Sequence, residues 1–220
     1  MVATIHLGEN EEKRNFILEA AQKRFALYGL AKTTMNEIAS DLGISKGSLY
    51  YYFPDKEHLY AEVIIKEQNI FLQTIDQKVW RKEDPSSMLR EYLAIRLDLF
   101  RKSLNFSRFR LEEIWDIRPL IGDKILIFKN KEQLIVEKIL EEGVLQKMFV
   151  IENIKKTAAL YLTLLRGLFH AEIRTKNLYY LEQHEFSCLE KDAKLFTSIY
   201  LNGLQINKIK ISNDKCLERR

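Results

Sequence analysis

The stretch from Thr33 to Lys56, TTMNEIASDLGISKGSLYYYFPDK, packs more start and stop signals into a short span than any other part of the chain. Thr34 followed by Glu37 fits a capping box, which satisfies orphan amides at a helix start. Met35, Ile38, Ala39 and Leu42 then recur at the spacing of one apolar helix face. Gly43 stands where that helix should end, because glycine takes the left-handed conformation at little cost. Ile44 can plug the angle between two helices, and Ser45 is a good N-cap for the next. A helix from Lys46 to Phe53 would be about 12 Å long. Its Leu49 and Phe53 can face inward, leaving Lys46, Gly47, Tyr50 and Tyr51 on the other side. Pro54 stops it, Asp55 caps the following helix, and Lys56 lies in that helix's first turn. The spacing predicts two helices crossing at a large angle through a short turn, with Ala39 small where they approach.

The run Tyr50-Tyr51-Tyr52 beside Lys46 and Gly47 is unusual for a purely structural helix. Phenol hydroxyls and an ammonium can donate to phosphate oxygens, ring faces can contact thymine methyls, and Gly47 allows the backbone close to a base edge. Lys32, Thr33 and Thr34 lie just before the second helix of the chain, the one that starts at the Thr34 cap, where hydroxyls and free amides can hold phosphate. The competing reading is a structural helical hairpin whose tyrosines pack against a partner.

The segments ILEAAQKRFALYG and TTMNEIASDLGISKGSLYYYFPDKEHLY, within Ile17 to Tyr60, resemble the DNA-binding domain of the TetR/AcrR regulators. The resemblance covers the first quarter of the chain; beyond it only length and helical character agree. Tyr52 stands where the family often carries histidine. The resemblance implies an all-α fold: an N-terminal three-helix helix-turn-helix domain, 1–60, and a C-terminal helical ligand-binding and dimerisation domain, 61–220. It also implies a homodimer on a palindromic double-stranded DNA operator, with repression relieved by a small-molecule effector. The expected phosphate contacts are Thr33, Thr34, Tyr51, Tyr52 and Lys56. Lys46, Gly47 and Tyr50 are the expected base-edge contacts, and Ser45 and Ser48 serve as caps or contacts.

Composition agrees with a helical, water-soluble chain. Only three prolines and eight glycines interrupt 220 residues, with 46% apolar and 30% charged residues. The net charge is +4, yet residues 1–60 hold seven Lys/Arg against eight Asp/Glu. A DNA role therefore rests on where Lys32, Lys46 and Lys56 stand rather than on bulk charge. Cys188 and Cys216 are too few for a disulfide framework or zinc site. No secretory signal and no membrane-length apolar run is present, so a cytoplasmic protein is expected.

Along the chain, residues 1–11 read as a loose arm, and a first helix runs from about Glu12 to Tyr28 with Ile17, Ala20, Ala21 and Phe25 inward. A long helix from Asp55 to about Trp80 carries Leu59, Val63, Lys66 and Ile70 and joins the two domains. Asp84-Pro85 starts a helix to about Leu104 that is apolar on two faces, Leu89, Leu93, Leu97, Phe100 and Met88, Tyr92, Ile95, Leu99. Arg96 and Asp98 interrupt it, as an ion pair, as surface positions or as pocket lining. Two helices should follow, about Ser107 to Asp116 and Gly122 to Glu142, separated at Arg118-Pro119 and ended by Gly143.

The last two segments are strongly amphipathic. One carries Ile154, Ala158, Tyr161, Leu162, Leu165, Leu168 and Phe169, the other Leu189, Ala193, Phe196, Tyr200 and Leu204. They can pair with their copies in a second subunit, the arrangement the resemblance implies, or face their own core, or both.

The second domain is rich in bulky residues. Phe100, Phe109, Trp115, Phe128, Tyr161 and Phe169 could wall a pocket for an apolar or aromatic effector; the alternative is plain core. No dense acidic or basic cluster favours a highly charged effector. Other chemistries find no support. His6, His58, His170 and His184 make no paired metal spacing, and there is no phosphate loop or nucleophile elbow. No catalytic residue, metal site or cofactor is expected. A membrane-surface protein would need a basic amphipathic stripe that is not evident. A non-DNA adaptor would show no salt-sensitive duplex binding.

Overall fold

The computed structural model describes residues 2–106, 111–175 and 183–205, giving the backbone alone for 2–9, 102–106, 111–118, 172–175, 183 and 185. Among them run eight helices: α1 Val2–Tyr28, α2 Met35–Leu42, α3 Lys46–Tyr52, α4 Lys56–Lys78, α5 Pro85–Phe106, α6 Leu111–Leu145, α7 Ile154–Thr175 and α8 Gln183–Leu204. There is no strand among the described residues, only an isolated antiparallel bridge between Phe149 and Gln205. The fold is all-α, as expected.

Two buried clusters divide the apolar side chains. The smaller gathers Ile17, Ala21 and Phe25 from α1, Ile38 and Ala39 from α2, Leu49 from α3, and Leu59, Tyr60 and Val63 from α4. The larger is built from both predicted faces of α5 and from α6, α7 and α8, with Phe71 and Ile75 of α4. α4 belongs to both: its first turns fill one cluster, its later turns the other. Ile121 of α6 is also buried in the smaller cluster, so the second region reaches into the first.

Several boundaries differ from expectation. α1 begins at Val2, so the N-terminal arm is helical. The helices expected on either side of Pro119 are one helix of 35 residues. A proline removes one ladder hydrogen bond but already holds a helical φ. Packing of α6 against α4, α5 and α7 offsets that loss. Gly143 does not end α6. A Cβ there would lie 2.0 Å from the Phe149 ring, so glycine is required for close approach, not for termination. Ile70, expected on the inner stripe of α4, is exposed, and Phe71 and Ile75 take the inner face.

α7 and α8 separate the two uses that their sequence left open. Ala158, Tyr161, Leu162, Leu165, Phe169, Leu189 and Ala193 are buried in their own core, with Ile154, Leu168, Phe196, Tyr200 and Leu204 packed against it. A different set stays exposed: Leu160 and Leu164 on α7, Leu195 and Ile199 on α8.

Candidate nucleic-acid interface and effector cavity

The α2–α3 unit is fixed by local hydrogen bonds. Thr34 Oγ1 accepts from the Glu37 amide at 3.3 Å, and the Thr34 amide donates to Glu37 Oε2 at 2.9 Å, completing the capping box. Gly43 closes α2 with φ 64°, and its amide donates to Ser40 O at 3.1 Å. Ser45 Oγ accepts from the Ser48 amide at 3.1 Å, and Asp55 Oδ1 from the His58 amide at 2.7 Å. Arg24 of α1 ties the unit down, reaching Glu37 at 2.8 Å and Asp41 at 2.7 Å. Those two carboxylates raise its pKa, led by the hydrogen bond to Asp41. Leu49 and Phe53 anchor α3 inside, near the edge-on Phe25–Tyr60 ring pair.

That anchoring turns Lys46, Gly47, Tyr50 and Tyr51 outward, and Tyr51 is 76% exposed. Lys46 Nζ lies 5.6 Å from the Tyr50 ring centroid, so the cation and that ring form one surface. A Cβ added to Gly47 would meet nothing within 4 Å. Internal packing therefore gives no reason for glycine there, in the first turn of α3. Ser45 and Thr34 are exposed but spend their side chains on capping, Ser48 is half-buried, and Tyr52 is half-buried against the smaller core.

Two expected phosphate contacts look different in place. Thr33 is completely buried and donates its hydroxyl to Gly29 O at 2.7 Å, so its side chain is not available to DNA. Lys56 is half-buried and donates to Leu30 O at 3.1 Å, bracing the turn between α1 and α2. An ammonium has three donors, so this bond leaves capacity for a phosphate.

Between α4, α5, α6 and α7 lies a cavity of about 370 Å³. Phe100, Phe128 and Phe169 line it, as expected from sequence, and Phe100 stacks on Phe169 with centroids 4.3 Å apart. Tyr161 does not line it: it is a buried core residue whose hydroxyl lies 3.0 Å from that of Thr197. Burial raises the Tyr161 pKa. Phe109 and the Trp115 side chain lie outside the described residues.

Of the two charged residues read as possible pocket lining, Arg96 reaches this cavity, at its polar end, and Asp98 does not line it. Glu132, 1% exposed, receives Arg96 Nε at 2.6 Å, Arg166 Nη2 at 2.7 Å and the Tyr92 hydroxyl at 2.7 Å. Burial alone would raise its pKa, but the two guanidiniums and the phenol outweigh burial and hold the carboxylate below its ordinary range. The same burial and the adjacent Glu132 charge push Tyr92 well up. Arg96, which with Asp98 interrupts the apolar faces of α5, was the sequence signal; Glu132 lies in the polar run KNKEQ and gave none.

Tyr60, Val63 and Ile121 line the cavity and also belong to the smaller core. Glu67, also lining it, accepts a hydrogen bond from Gln22 of α1. The described residues contain no group of three or more potential metal ligands, and no helix among them is long and apolar enough to cross a membrane.

The profile of bacterial regulatory proteins, tetR family, matches residues 17–63, the segment that forms α2, α3 and their braces. A crystal structure of a transcriptional regulator from Cytophaga hutchinsonii is similar at TM-score 0.80 and 38% identity, covering 88% of this chain and 98% of that one. The chain belongs to the TetR/AcrR family of transcriptional regulators. The HTH-type transcriptional regulator AcrR of Shigella flexneri is 25% identical over 88% of this chain and 89% of its own. RutR of Escherichia coli strain K12 is 33% identical over 51% of this chain, and the match spans 53% of RutR's length. In this TetR-family chain the family profile falls on the helix-turn-helix and its braces, while the likeness to AcrR and to the solved regulator runs over 88% of the chain.

Proposed function

We propose that this TetR-family chain is a ligand-responsive repressor that binds a palindromic operator as a homodimer and is released by a small effector. The observation that carries the reading is that the cavity and the helix-turn-helix share side chains. Tyr60, Val63 and Ile121 serve both, so an occupant that moves α4 or α6 must move the packing of the head.

The working division is a DNA-binding head, 1–60, on an effector and dimerisation body, 61–220. α3 enters a major groove, with Lys46, Gly47 and Tyr50 at base edges and Thr34, Tyr51, Tyr52 and Lys56 at phosphates. The exposed rows Leu160, Leu164, Leu195 and Ile199 supply an apolar face on α7 and α8 for a second copy. Effector binding shifts the population towards a head spacing that no longer fits both half-sites, with a coupling of about 1–3 kcal/mol. A cytoplasmic location follows from access to the operator.

The test is selection of bound duplexes from a random pool by the purified protein at two salt concentrations. Enrichment of a palindrome whose half-sites lie a whole number of helical turns apart supports the reading. Salt-independent failure to enrich any duplex supports the adaptor alternative instead.

A further inference from the structure

We infer that the effector is an amphiphilic anion, a single carboxylate-type group on an apolar or aromatic body, with its anionic end held by Arg96 and Arg166. The inference rests on the effector-cavity reading above and adds the chemical class.

The cavity has two ends of different character. Val63, Ile64, Ile125, Phe128 and the stacked Phe100–Phe169 pair make an apolar wall. Arg96, Arg166 and Glu132 make the polar end, and Lys129 also lines the cavity. Glu132 is largely engaged: Oε1 accepts from Tyr92 and forms an ion pair with Arg96 Nε, and Oε2 accepts from Arg166. It therefore has little to offer a cationic or hydroxylic ligand. Its single negative charge is shared by two guanidiniums, which leaves the polar end one charge positive.

The arginines have donors to spare. A guanidinium carries five N–H groups. Among the described residues, Arg96 uses Nε on Glu132 and Arg166 uses Nη2. With Nε held by Glu132 and its guanidinium carbon 5.9 Å from the Phe169 ring centroid, Arg96 is fixed from two sides. Its two terminal nitrogens can form a fork for a carboxylate, the geometry that favours bidentate pairing. A neutral apolar occupant would remove water from these donors and give them no acceptor, which is costly in a desolvated site. A cationic occupant would meet three cations, Arg96, Arg166 and Lys129, against one further carboxylate, Glu67, which accepts from Gln22.

The experiment measures binding of matched probes to the full chain by calorimetry and melting shift at neutral pH. Decanoate, decanol and decylamine share one skeleton; phenylbutyrate, phenylbutanol and phenylbutylamine share another. The expected result is a carboxylate bound at least about tenfold more tightly than its alcohol, as one charge-assisted hydrogen bond provides. The amine should be weakest. In Arg166→Gln, which leaves Glu132 paired with Arg96, the acid's advantage should shrink while alcohol binding is retained. An alcohol that binds as tightly as its acid in the native chain overturns the anion assignment and leaves the apolar cavity standing. No binding by any probe, or binding unchanged by the cavity-filling Ile125→Trp, overturns the effector site itself. The native-chain comparison does not depend on any variant folding.

Discussion

The head and the body solve the burial of polar groups in opposite ways. In the head, the capping box at Thr34, the caps at Ser45 and Asp55 and the Arg24 bridges all lie at or near the surface, between residues close in sequence or on adjacent helices. Its interior is apolar apart from Thr33. In the body, a carboxylate from α6 is buried under arginines from α5 and α7 and a phenol from α5. Surface polar bonds set shape at little cost and leave the outer face of α3 unencumbered. A buried ionic cluster is tolerated only while every partner is present. The contrast teaches that local bonds fix the surface the head presents, while the packing of the body depends on an ionic cluster that any occupant of the cavity would touch.

The largest effect should come from the exposed rows of the body. Leu195→Asp with Ile199→Asp would bury unpaired charge in the proposed two-fold interface. We expect a monomer by sedimentation and operator affinity lowered by at least about a hundredfold, as loss of the second head removes avidity. A persistent dimer would place the interface elsewhere.

Next is the buried carboxylate. Glu132→Gln leaves two guanidiniums without their counter-charge and should cost about 3 kcal/mol in denaturant unfolding. A loss confined to the head's transition would contradict the comparison. The acid limb has the same source. The folded-state pKa of Glu132 is lowered, so its contribution is present above the unfolded value, about pH 4.3, and is lost as pH falls through the folded value. Thermal melts of the native chain should drop below about pH 4, and those of Glu132→Gln should drop less steeply.

Gly47→Ala should separate stability from function in the head. The added methyl meets nothing within 4 Å, so stability should hold or rise by less than about 1 kcal/mol, since Gly47 lies in the first turn of α3. Operator affinity should nevertheless fall, by about tenfold, if the backbone there approaches a base edge. Unchanged affinity would remove Gly47 from the interface.

The smallest effects distinguish two lysines. Lys46→Ala should lower the salt slope of binding by about one while leaving the melting temperature in place. Lys56→Ala should lower the slope and also cost about 1 kcal/mol of head stability, because its bond to Leu30 O is lost. A purely structural effect at Lys56 would leave the slope unchanged.

Sequence served the two regions unequally. From Thr34 to Asp55, each cap and stop fell where the residues placed it, because capping acts over three or four residues and needs no distant partner. Both apolar faces of α5 were readable for a similar reason, since burial on most sides leaves few polar positions. The errors lay where the partner that decides a residue's role left no mark in the pattern, whether near or far along the chain. Thr33 looked like a surface hydroxyl until Gly29 O was seen beside it. Pro119 and Gly143 looked like helix ends, yet one is carried through by neighbouring helices and the other is needed by Phe149, six residues onward. Tyr161 and Phe169 shared one apolar stripe, but only Phe169 reaches the cavity.

Sequence alone established the helical class, the helix-turn-helix and the outward set on α3, because these follow from periodicity and short-range hydrogen bonding. Tertiary packing decided which faces of α7 and α8 are core and which stay bare, and that Arg96, Glu132, Arg166 and Tyr92 meet. Those residues come from three helices and are joined by charge and burial, neither of which leaves a periodic mark on the chain.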